Sequence, residues 1–302
     1  MTGTVRSIDC PNCGAGLDVL GGGRVTTHVC PYCGAALDAT DAYRVLAVYA
    51  GMERPETPFR LGQEGTLRGV AWTVVGTIGM VEREAGGEWR WTDHMLHSPT
   101  HGYAWLTVED GHVLFTRKVR DWPDGAFLDR RALAAASSRP ARAWRGRTFA
   151  YYASSAGVID FVEGAFNFRP QRGDRTFAAS LLATADPPEM LAYLSEGRER
   201  EVELTRYAPE AAEAFGVAAP VRRGRHPLQP EPMLRDAPFL GRWFLGMAAL
   251  SLALLLGLDA LDPPGRTNGL WLFLAMAGFA FAGFWARRER SRRWAGSDWG
   301  GA

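Results

Sequence analysis

Lysine is almost absent from this sequence, and neither sign of charge predominates. Lys118 is the only lysine among 34 basic residues, which stand against 33 acidic residues and leave a net charge of +1. A chain with so little excess positive charge lacks the phosphate-neutralising field on which general nucleic-acid binding depends. Nearly all the basic residues are arginine, so an isolated arginine reflects composition more than a binding site.

The motifs of several enzyme classes are also missing. The sequence contains no G-x-S-x-G nucleophile elbow, no H-E-x-x-H metalloprotease motif and no phosphate-binding glycine loop. The run Gly21-Gly22-Gly23 is not followed by the Lys-Ser/Thr that a phosphate loop requires, and we interpret it as the turn of a hairpin. No catalytic residue and no organic cofactor is predicted, and the sequence favours a protein that is not an enzyme.

The four cysteines are confined to one short array. Cys10 and Cys13 form one C-x-x-C pair, and Cys30 and Cys33 form a second pair after sixteen intervening residues. Each pair is followed by glycine, and the two-residue gap lets both thiolates of a pair face one ion. All four cysteines are therefore predicted to bind Zn²⁺, as a four-cysteine zinc ribbon over residues 1–40.

Two alternatives to this zinc site follow from the sequence. The cysteines could form two disulfides, but the first residues contain no apolar signal region, so we expect the ribbon to stay in a reducing cytoplasm. His28 lies two residues before Cys30 and could substitute for one thiolate. The ribbon carries two arginines against three aspartates, and this balance argues against nucleic acid as its partner.

Long apolar runs occur only near the C-terminus. Residues 239–258 and 269–286 are apolar over lengths that suit helices crossing a bilayer, with Arg242 as the only charge. Arginines flank the pair on both outer sides, whereas the connector 259–268 carries one. The positive-inside rule then predicts a transmembrane hairpin over 239–286 at the bacterial inner membrane, with both termini cytoplasmic. A hairpin of buried soluble helices is the alternative.

The segments on either side of this hairpin are predicted to be extended and polar. Residues 218–238 contain five prolines, which disfavour helix and sheet and predict a linker. Residues 287–302 begin with five arginines in seven positions and are predicted to form a basic cytoplasmic tail.

The middle of the chain is predicted to be rich in β-structure. Apolar and β-branched runs predict strands at 43–49, 71–78, 103–108, 112–116, 148–152, 157–162 and 165–168. Turn residues separate several of them, as is typical of an antiparallel barrel or sandwich over residues 43–217. A division into two halves, with a break near 120–147, is left open. Short helices are predicted at 187–194, behind two prolines, and at 208–217.

Several short motifs resemble those of one bacterial family. Residues 65–69 (GTLRG) and 72–76 (WTVVG) are similar to its opening. Residues 91–96 and 102–106 resemble its W-x-E-Y-x-L…G-Y-x-W-L signature, with Asp93-His94 in place of Glu-Tyr. Further similarities lie at 164–168, 187–191 and 293–298. On these motifs the sequence resembles domain of unknown function 4178.

This resemblance implies context more than chemistry. Members of the family have no established activity, and they often carry an N-terminal zinc ribbon and a C-terminal membrane tail. They are encoded beside polyamine-synthesis-like enzymes and small membrane or envelope-stress proteins. The resemblance therefore implies a polyamine-related or envelope-stress system, which is an association and not a mechanism.

Three further groups of residues could carry chemistry. The histidines at 94, 97, 101 and 112 could include a second metal site, although Pro99 breaks any helix there and a hairpin loop is the default. The acids Asp93, Glu109 and Asp110 could supply a carboxylate pair, but nothing in the sequence brings them together. Several tryptophans could stack a ligand, although at alternating strand positions they are more often core residues: Trp72, Trp89, Trp91, Trp105, Trp122 and Trp144.

Two functions of different classes follow. The first is a membrane-anchored, non-enzymatic adaptor, in which the zinc ribbon and the β-rich domain dock a protein partner at the inner membrane. The alternative is an enzyme or small-ligand sensor with a pocket in the β-rich domain, for a polyamine or a modified peptide. An acidic cavity with aromatic walls would favour the second function, because polyamines are cations, whereas a pocket without convergent polar groups would favour the first.

Overall fold

The structure, a computed structural model, describes residues 6–84, 87–183, 185–196, 199–223, 226–228 and 279. The chain divides into two compact units, Met1–Gln229 and Pro230–Ala302. Apart from Phe279, the predicted transmembrane hairpin (239–286) and the basic tail (287–302) lie outside the described residues, as does most of the predicted linker. Within the part of the chain that is described, no helix is long and apolar enough to span a membrane.

The described residues form fifteen strands and two short helices. The first strands are β1 (Arg6–Asp9), β2 (Gly16–Val19), β3 (Thr27–Val29), β4 (Ala35–Asp38), β5 (Arg44–Val48), β6 (Glu64–Leu67) and β7 (Val70–Glu84). The others are β8 (Gly87–Ser98), β9 (Gly102–Glu109), β10 (His112–Lys118), β11 (Ala141–Trp144), β12 (Arg147–Phe166), β13 (Arg175–Ala183), β14 (Glu189–Glu196) and β15 (Glu199–Tyr207). The helices are α1 (Arg130–Ala135) and α2 (Ala211–Ala214).

Eight of these strands close into an antiparallel barrel. Their order around the barrel is β12, β13, β14, β15, β10, β9, β8 and β7, and β7 pairs with β12 to close the ring. The barrel, and not the sandwich, is therefore the form of the predicted β-rich fold. The segment near 120–147 contains α1 and β11, and the strands on either side of it belong to one continuous sheet.

The closure depends on the unusual length of β12. Its residues 150–158 pair with β13 and its residues 159–164 pair with β7, so one strand serves two neighbours along its length. The sequence predicted three separate strands in this region, and the structure joins them into one strand of 20 residues. Residues 153–156, between the first two predicted strands, are extended because they pair with β13.

The helix predicted at 187–194 is wrong, because residues 189–196 form strand β14. Its sequence, EMLAYLSE, contains good helix formers, yet β13 and β15 flank it and hydrogen-bond along both of its edges. Pairing on two sides outweighs a local preference that amounts to less than about 1 kcal/mol per residue. The other predicted helix is confirmed in part, since α2 lies within 208–217.

One face of the strands points into the barrel. The strand register places Asp93, Thr107 and Leu114 on the same face of β8, β9 and β10. On this face Leu114 joins Leu182 of β13 and Leu228 in one buried cluster, although β15 and β14 lie between β10 and β13. Side chains about 14 Å apart along a flat sheet meet only where the sheet curves around them, so this is the inner face.

The outer face carries one large part of the apolar core. Leu96, Leu106 and Phe115 point outward from β8, β9 and β10, and Phe59 and Phe215 cover them from the chain segments before β6 and after α2. Burying side chains of this kind contributes about 1.5–3 kcal/mol each. On the far side of the barrel, Phe127 packs against Tyr193 and Trp144 against Phe149. On the inner face, Ile78, Met80, Met95 and Ile159 form a second buried cluster against Trp91 and Trp105.

The cysteine-bearing region is continuous with the barrel sheet. Strands β1 and β2 form a separate two-stranded hairpin, but β3 pairs with the end of β12, and β4 and β5 extend the sheet beyond it. The loop between the two hairpins also reaches the barrel, where the Tyr103 hydroxyl donates a hydrogen bond of 2.8 Å to the Gly21 carbonyl. The cysteine-bearing region therefore lies against one end of the barrel.

Candidate functional site

The two C-x-x-C segments fold into the same tight turn, which we call a knuckle. In each knuckle the amide of the first cysteine donates to a carbonyl five residues on, and the amide of the following glycine donates to that cysteine's carbonyl. The glycines, Gly14 and Gly34, have φ angles of +75° and +70°. Residues that carry a side chain rarely adopt this left-handed backbone conformation, which explains why glycine follows both cysteine pairs.

The four cysteine sulfur atoms meet at one point. They lie within 4.8 Å of one another, with 3.7 Å between the Sγ atoms of Cys10 and Cys33 and 3.9 Å between those of Cys13 and Cys30. Four thiolates bound at about 2.3 Å to a tetrahedral ion are about 3.8 Å apart, whereas disulfide sulfurs are about 2.05 Å apart. The cysteines therefore lie together as predicted and could bind one metal ion.

The burial of the cysteines indicates what an ion would do for this region. Cys10 and Cys30 are buried while Cys13 is exposed. Burial raises the pKa of the Cys30 thiol to about 12, so the protein alone keeps this group neutral. A bound cation would stabilise its thiolate and tie the two knuckles together, which is the chemistry of a structural site.

The alternative ligand His28 is buried on β3, and burial lowers its pKa to about 4. The histidines of the β8–β10 region are also dispersed. His94 is fully buried and hydrogen-bonded to Thr57 and Thr77, whereas His112 packs against Tyr207. Among the described residues, the four cysteines are the group that could hold an ion, so no second metal site is found there.

Two of the three predicted acids do come together inside the barrel. Asp93 accepts hydrogen bonds from Thr107 Oγ1 (2.5 Å) and Trp91 Nε1 (3.1 Å), and burial raises its pKa to about 6. Burial, together with repulsion from Asp110, Asp93 and Glu82, raises the pKa of Glu109 to about 7. Asp110 itself is exposed in the β9–β10 turn.

Sequence reasoning missed a third interior acid, Glu203 of β15. Burial and the negative charges of Glu201 and Asp93 raise its pKa to about 8, while Lys118 acts in the opposite direction. The charge of Asp93 acts on Glu203 although β9 and β10 lie between their strands, and both side chains are on the inner face of the barrel. The alternating pattern of β15, in which Glu203 stands between the buried residues Val202 and Leu204, was the signal in the sequence.

The interior acids are surrounded by protein and yet retain contact with water. Asp93, Glu109 and Glu203 each keep part of their surface exposed, although burial is the largest cause of their raised pKa values. The three carboxyl groups are therefore only partly solvated. The inward side chains on β12 and β13 are small, namely Ala153, Ser155, Ala178 and Ser180.

Tryptophans complete the wall around the acids. Trp91 and Trp105 are half-buried on the inner face, and Trp91 lies so close to β12 that a Cβ on Gly157 would be 2.8 Å from its ring. Glycine is therefore required at that position. The other predicted tryptophans do not share this surface, since Trp72 and Trp144 are buried in outer layers and Trp89 and Trp122 are exposed.

The fold and these sites define a class of protein, a closed eight-stranded antiparallel barrel that carries a module of four clustered cysteines able to bind a metal ion. The family model described as a domain of unknown function, DUF4178, matches residues 60–210, which is half of the chain. The chain belongs to this family, and the resemblance of its motifs is confirmed. The matched range contains every barrel strand and excludes the cysteines. No curated protein and no solved structure matches the chain.

Proposed function

We propose that this protein is a binding protein, not an enzyme, and that its barrel takes up a small organic cation such as a polyamine. The observation that carries the proposal is that Asp93, Glu109 and Glu203 all lie on the inner face of the barrel, which Trp91 and Trp105 share. An acidic interior with aromatic walls is the feature that distinguishes a cation-binding protein from an adaptor without a ligand. Eight-stranded barrels have room for one small ligand.

Electrostatics give the interior a reason to bind a cation. Three carboxyl groups in a poorly solvated space repel one another, and their pKa values rise because each holds its proton to avoid that repulsion. A ligand with two or more ammonium groups would replace those protons and interact with the tryptophan faces. Binding should therefore release protons and become tighter as the pH rises from 6 to 8.

Titration calorimetry with putrescine and spermidine would test this proposal. We expect saturable binding whose affinity increases at least tenfold between pH 6 and pH 8, with proton release seen as a dependence of the heat on the buffer. The variants Asp93→Asn and Glu203→Gln should each weaken binding at least tenfold at pH 8. Glu213→Gln, on the exposed surface of α2, is the matched control and should bind as the unsubstituted protein does. Equal binding by all variants, or none at any pH, would refute the proposal.

We further propose that the ion bound by the cysteines is Zn²⁺ in a structural role. Four thiolates at tetrahedral spacing leave no open position for substrate, and zinc suits a site of this kind. The second knuckle also carries Tyr32, whose side chain is 73% exposed beside Pro31. An exposed aromatic on a rigid turn supports the adaptor role as a second function, in which the knuckle docks a protein partner.

Membrane anchoring remains a proposal that the sequence of residues 239–286 supports. A reporter fused after Ala302 is expected to be active only if it is a cytoplasmic reporter, because two spans return the chain to its starting side and the flanking arginines are retained there. Truncation after Gln229, where the first compact unit ends, should release a soluble folded protein. A periplasmic phosphatase that is active at the C-terminus, or an aggregated truncation, would show that the orientation or the anchor is misassigned.

A further inference from the structure

A basic groove lies beside the barrel end that the cysteine-bearing region contacts. It has a volume of about 730 Å³, within the usual range of small-ligand sites. The β8–β9 turn forms one wall, and the end of β10 with residues 119–121 forms another. Gly21 and Arg24, from the loop between the two knuckles, close a third side. We call this cavity the rim groove.

The rim groove is strongly positive in a protein whose total charge is almost balanced. Asp121 is the one acidic residue among its lining residues, against six cationic ones. The cationic residues are Arg24, Arg117, Lys118, Arg120, Arg145 and Arg206. Three of these have carboxylate partners, since Lys118 pairs with Glu201, Arg145 with Asp121 and Arg206 with Glu189. In the part of the chain that the structure describes, no carboxylate is paired with the other three, so the groove holds uncompensated positive charge.

Several of these side chains are held in place before any ligand arrives. The Arg117 guanidinium donates a hydrogen bond of 3.1 Å to the His101 carbonyl and lies 5.8 Å from the centre of the Trp72 ring. Arg145 stacks 4.2 Å from the centre of the Trp144 ring while it pairs with Asp121. Side chains that are already ordered lose little entropy on binding, which favours affinity. The arginine-rich composition of the chain does not by itself explain why these side chains are ordered.

The hydroxyl groups of the β8–β9 turn add neutral donors to the same wall. Ser98 Oγ lies 3.2 Å from Thr100 Oγ1, which in turn lies 2.8 Å from His101 Nδ1. Both hydroxyls line the rim groove. Guanidinium groups combined with hydroxyl donors are the usual partners of phosphate oxygens, because the planar guanidinium fork matches two oxygens at once.

We propose that the rim groove binds a small phosphorylated compound with two or more negative charges. Three uncompensated arginines match a diphosphate in charge, and a concave groove of this volume suits a compact ligand more than a flat bilayer. This inference does not depend on the cation proposed for the barrel interior, because the two ligands have opposite charge and use different side chains. A phosphate group could belong to a soluble phosphate ester or to an anionic lipid headgroup. The concave shape of the groove favours the soluble ester.

The metal site and the rim groove are connected through the chain. Arg24 lies between Cys13 and Cys30 in the chain. It is three residues after Gly21, whose carbonyl accepts the hydrogen bond from Tyr103. An ion that ties the two knuckles together therefore also positions the ribbon side of the groove. Removing the ion should weaken phosphate binding by about as much as the loss of Arg24.

Titration of the full-length protein with inorganic pyrophosphate tests the proposal. We expect saturable binding that Arg120→Glu and Arg24→Glu each weaken at least tenfold. The affinity of these variants should also depend less on salt concentration than that of the unsubstituted protein. The control Arg131→Glu reverses an exposed arginine on α1 away from the groove and should change the affinity less than twofold. Circular dichroism melting of each variant checks that the fold is retained, which is expected because Arg24 and Arg120 are exposed.

Two outcomes would overturn the inference. The first is the absence of saturable pyrophosphate binding, or an equal loss in Arg131→Glu and Arg120→Glu, which would reduce the effect to overall charge. The second comes from sedimentation with phosphatidylglycerol vesicles. If Arg24→Glu and Arg120→Glu abolish the excess of binding to these vesicles over neutral phosphatidylcholine vesicles, and pyrophosphate does not compete for that excess, the groove serves a lipid surface and not a soluble phosphate ester.

Discussion

Replacing Cys10, Cys13, Cys30 or Cys33 by serine is expected to release the bound zinc ion and unfold both knuckles. Structural zinc contributes an apparent binding free energy of about 10–16 kcal/mol at neutral pH, and this free energy is folding free energy for small metal-bound modules. The first knuckle has little else to hold it, since β1 and β2 are four residues long and pair only with each other, whereas β3 and β4 belong to the barrel sheet.

Metal analysis and hydrogen exchange of the purified protein would measure this effect. The unsubstituted protein should contain one zinc ion per chain, and each serine variant should contain almost none and should exchange rapidly over residues 6–19 and 30–34. Tyr32→Ala is the matched control, because it changes an exposed side chain within a knuckle and should keep the ion. If that variant keeps zinc but loses a partner that co-purifies from membranes, the docking role of the knuckle is supported as well. Full zinc content in a serine variant, or disulfides in material from a reducing cytoplasm, would contradict the assignment.

The free energy of unfolding of the zinc-saturated protein is expected to fall as the pH rises from 6.5 to 8.5. The pKa values of Glu109 and Glu203 are raised to about 7 and about 8 in the folded protein, above the ordinary value near 4.5. The folded state therefore binds more protons than the unfolded state in this window, and stability decreases with pH until the folded pKa values are passed. The buried histidines His28 and His94, with pKa values lowered to about 4 and about 3, affect stability only below pH 6.5.

Chemical denaturation at several pH values would measure this dependence. For Glu203 alone, the loss between pH 6.5 and pH 8.5 should be on the order of 2 kcal/mol. Glu203→Gln should remove that part of the slope and make the protein more stable than the unsubstituted form at pH 8.5. Glu213→Gln, which changes an exposed acid on α2, should leave the slope as it is. A stability that is flat or rises across this window would show that the interior carboxylates are not in a poorly solvated space.

This pH dependence has a consequence for the proposed function. Interior carboxylates that repel one another weaken the fold at the pH of the cytoplasm, so they are costly unless a ligand compensates them. A bound organic cation would remove the repulsion and raise the free energy of unfolding with its concentration. Spermidine is therefore expected to reduce the pH dependence in the unsubstituted protein and to have no such effect in Glu203→Gln.

Local features of the fold could be predicted from the sequence because they depend on neighbouring residues. Two cysteines separated by two residues and followed by glycine specify a knuckle within one turn of chain, and the two knuckles lie where they were expected. Alternating side chains specify strands in the same way, and most of the predicted strands are present. The motifs around Trp72 and Trp91 were sufficient to place the chain in its family.

Features that depend on distant residues could not be predicted in this way. Strand β14 has the composition of a helix, and only pairing with β13 and β15 makes it a strand. The interior site joins Asp93 to Glu203, which are 110 positions apart in the sequence, and the rim groove draws on separate segments near residues 24, 100, 120 and 145. Neither grouping leaves a local pattern in the chain.

The sequence by itself therefore determined the cysteine knuckles, the β-rich class and the family, because short-range spacing and side-chain alternation encode each of them. Only the tertiary structure decided that the sheet closes, that β3 joins it through β12, and that acids from β8, β9 and β15 share one interior. The physical reason is that closure is a property of strand order and curvature around the whole ring. Charges that lie far apart along the chain come to repel one another only after that ring has formed.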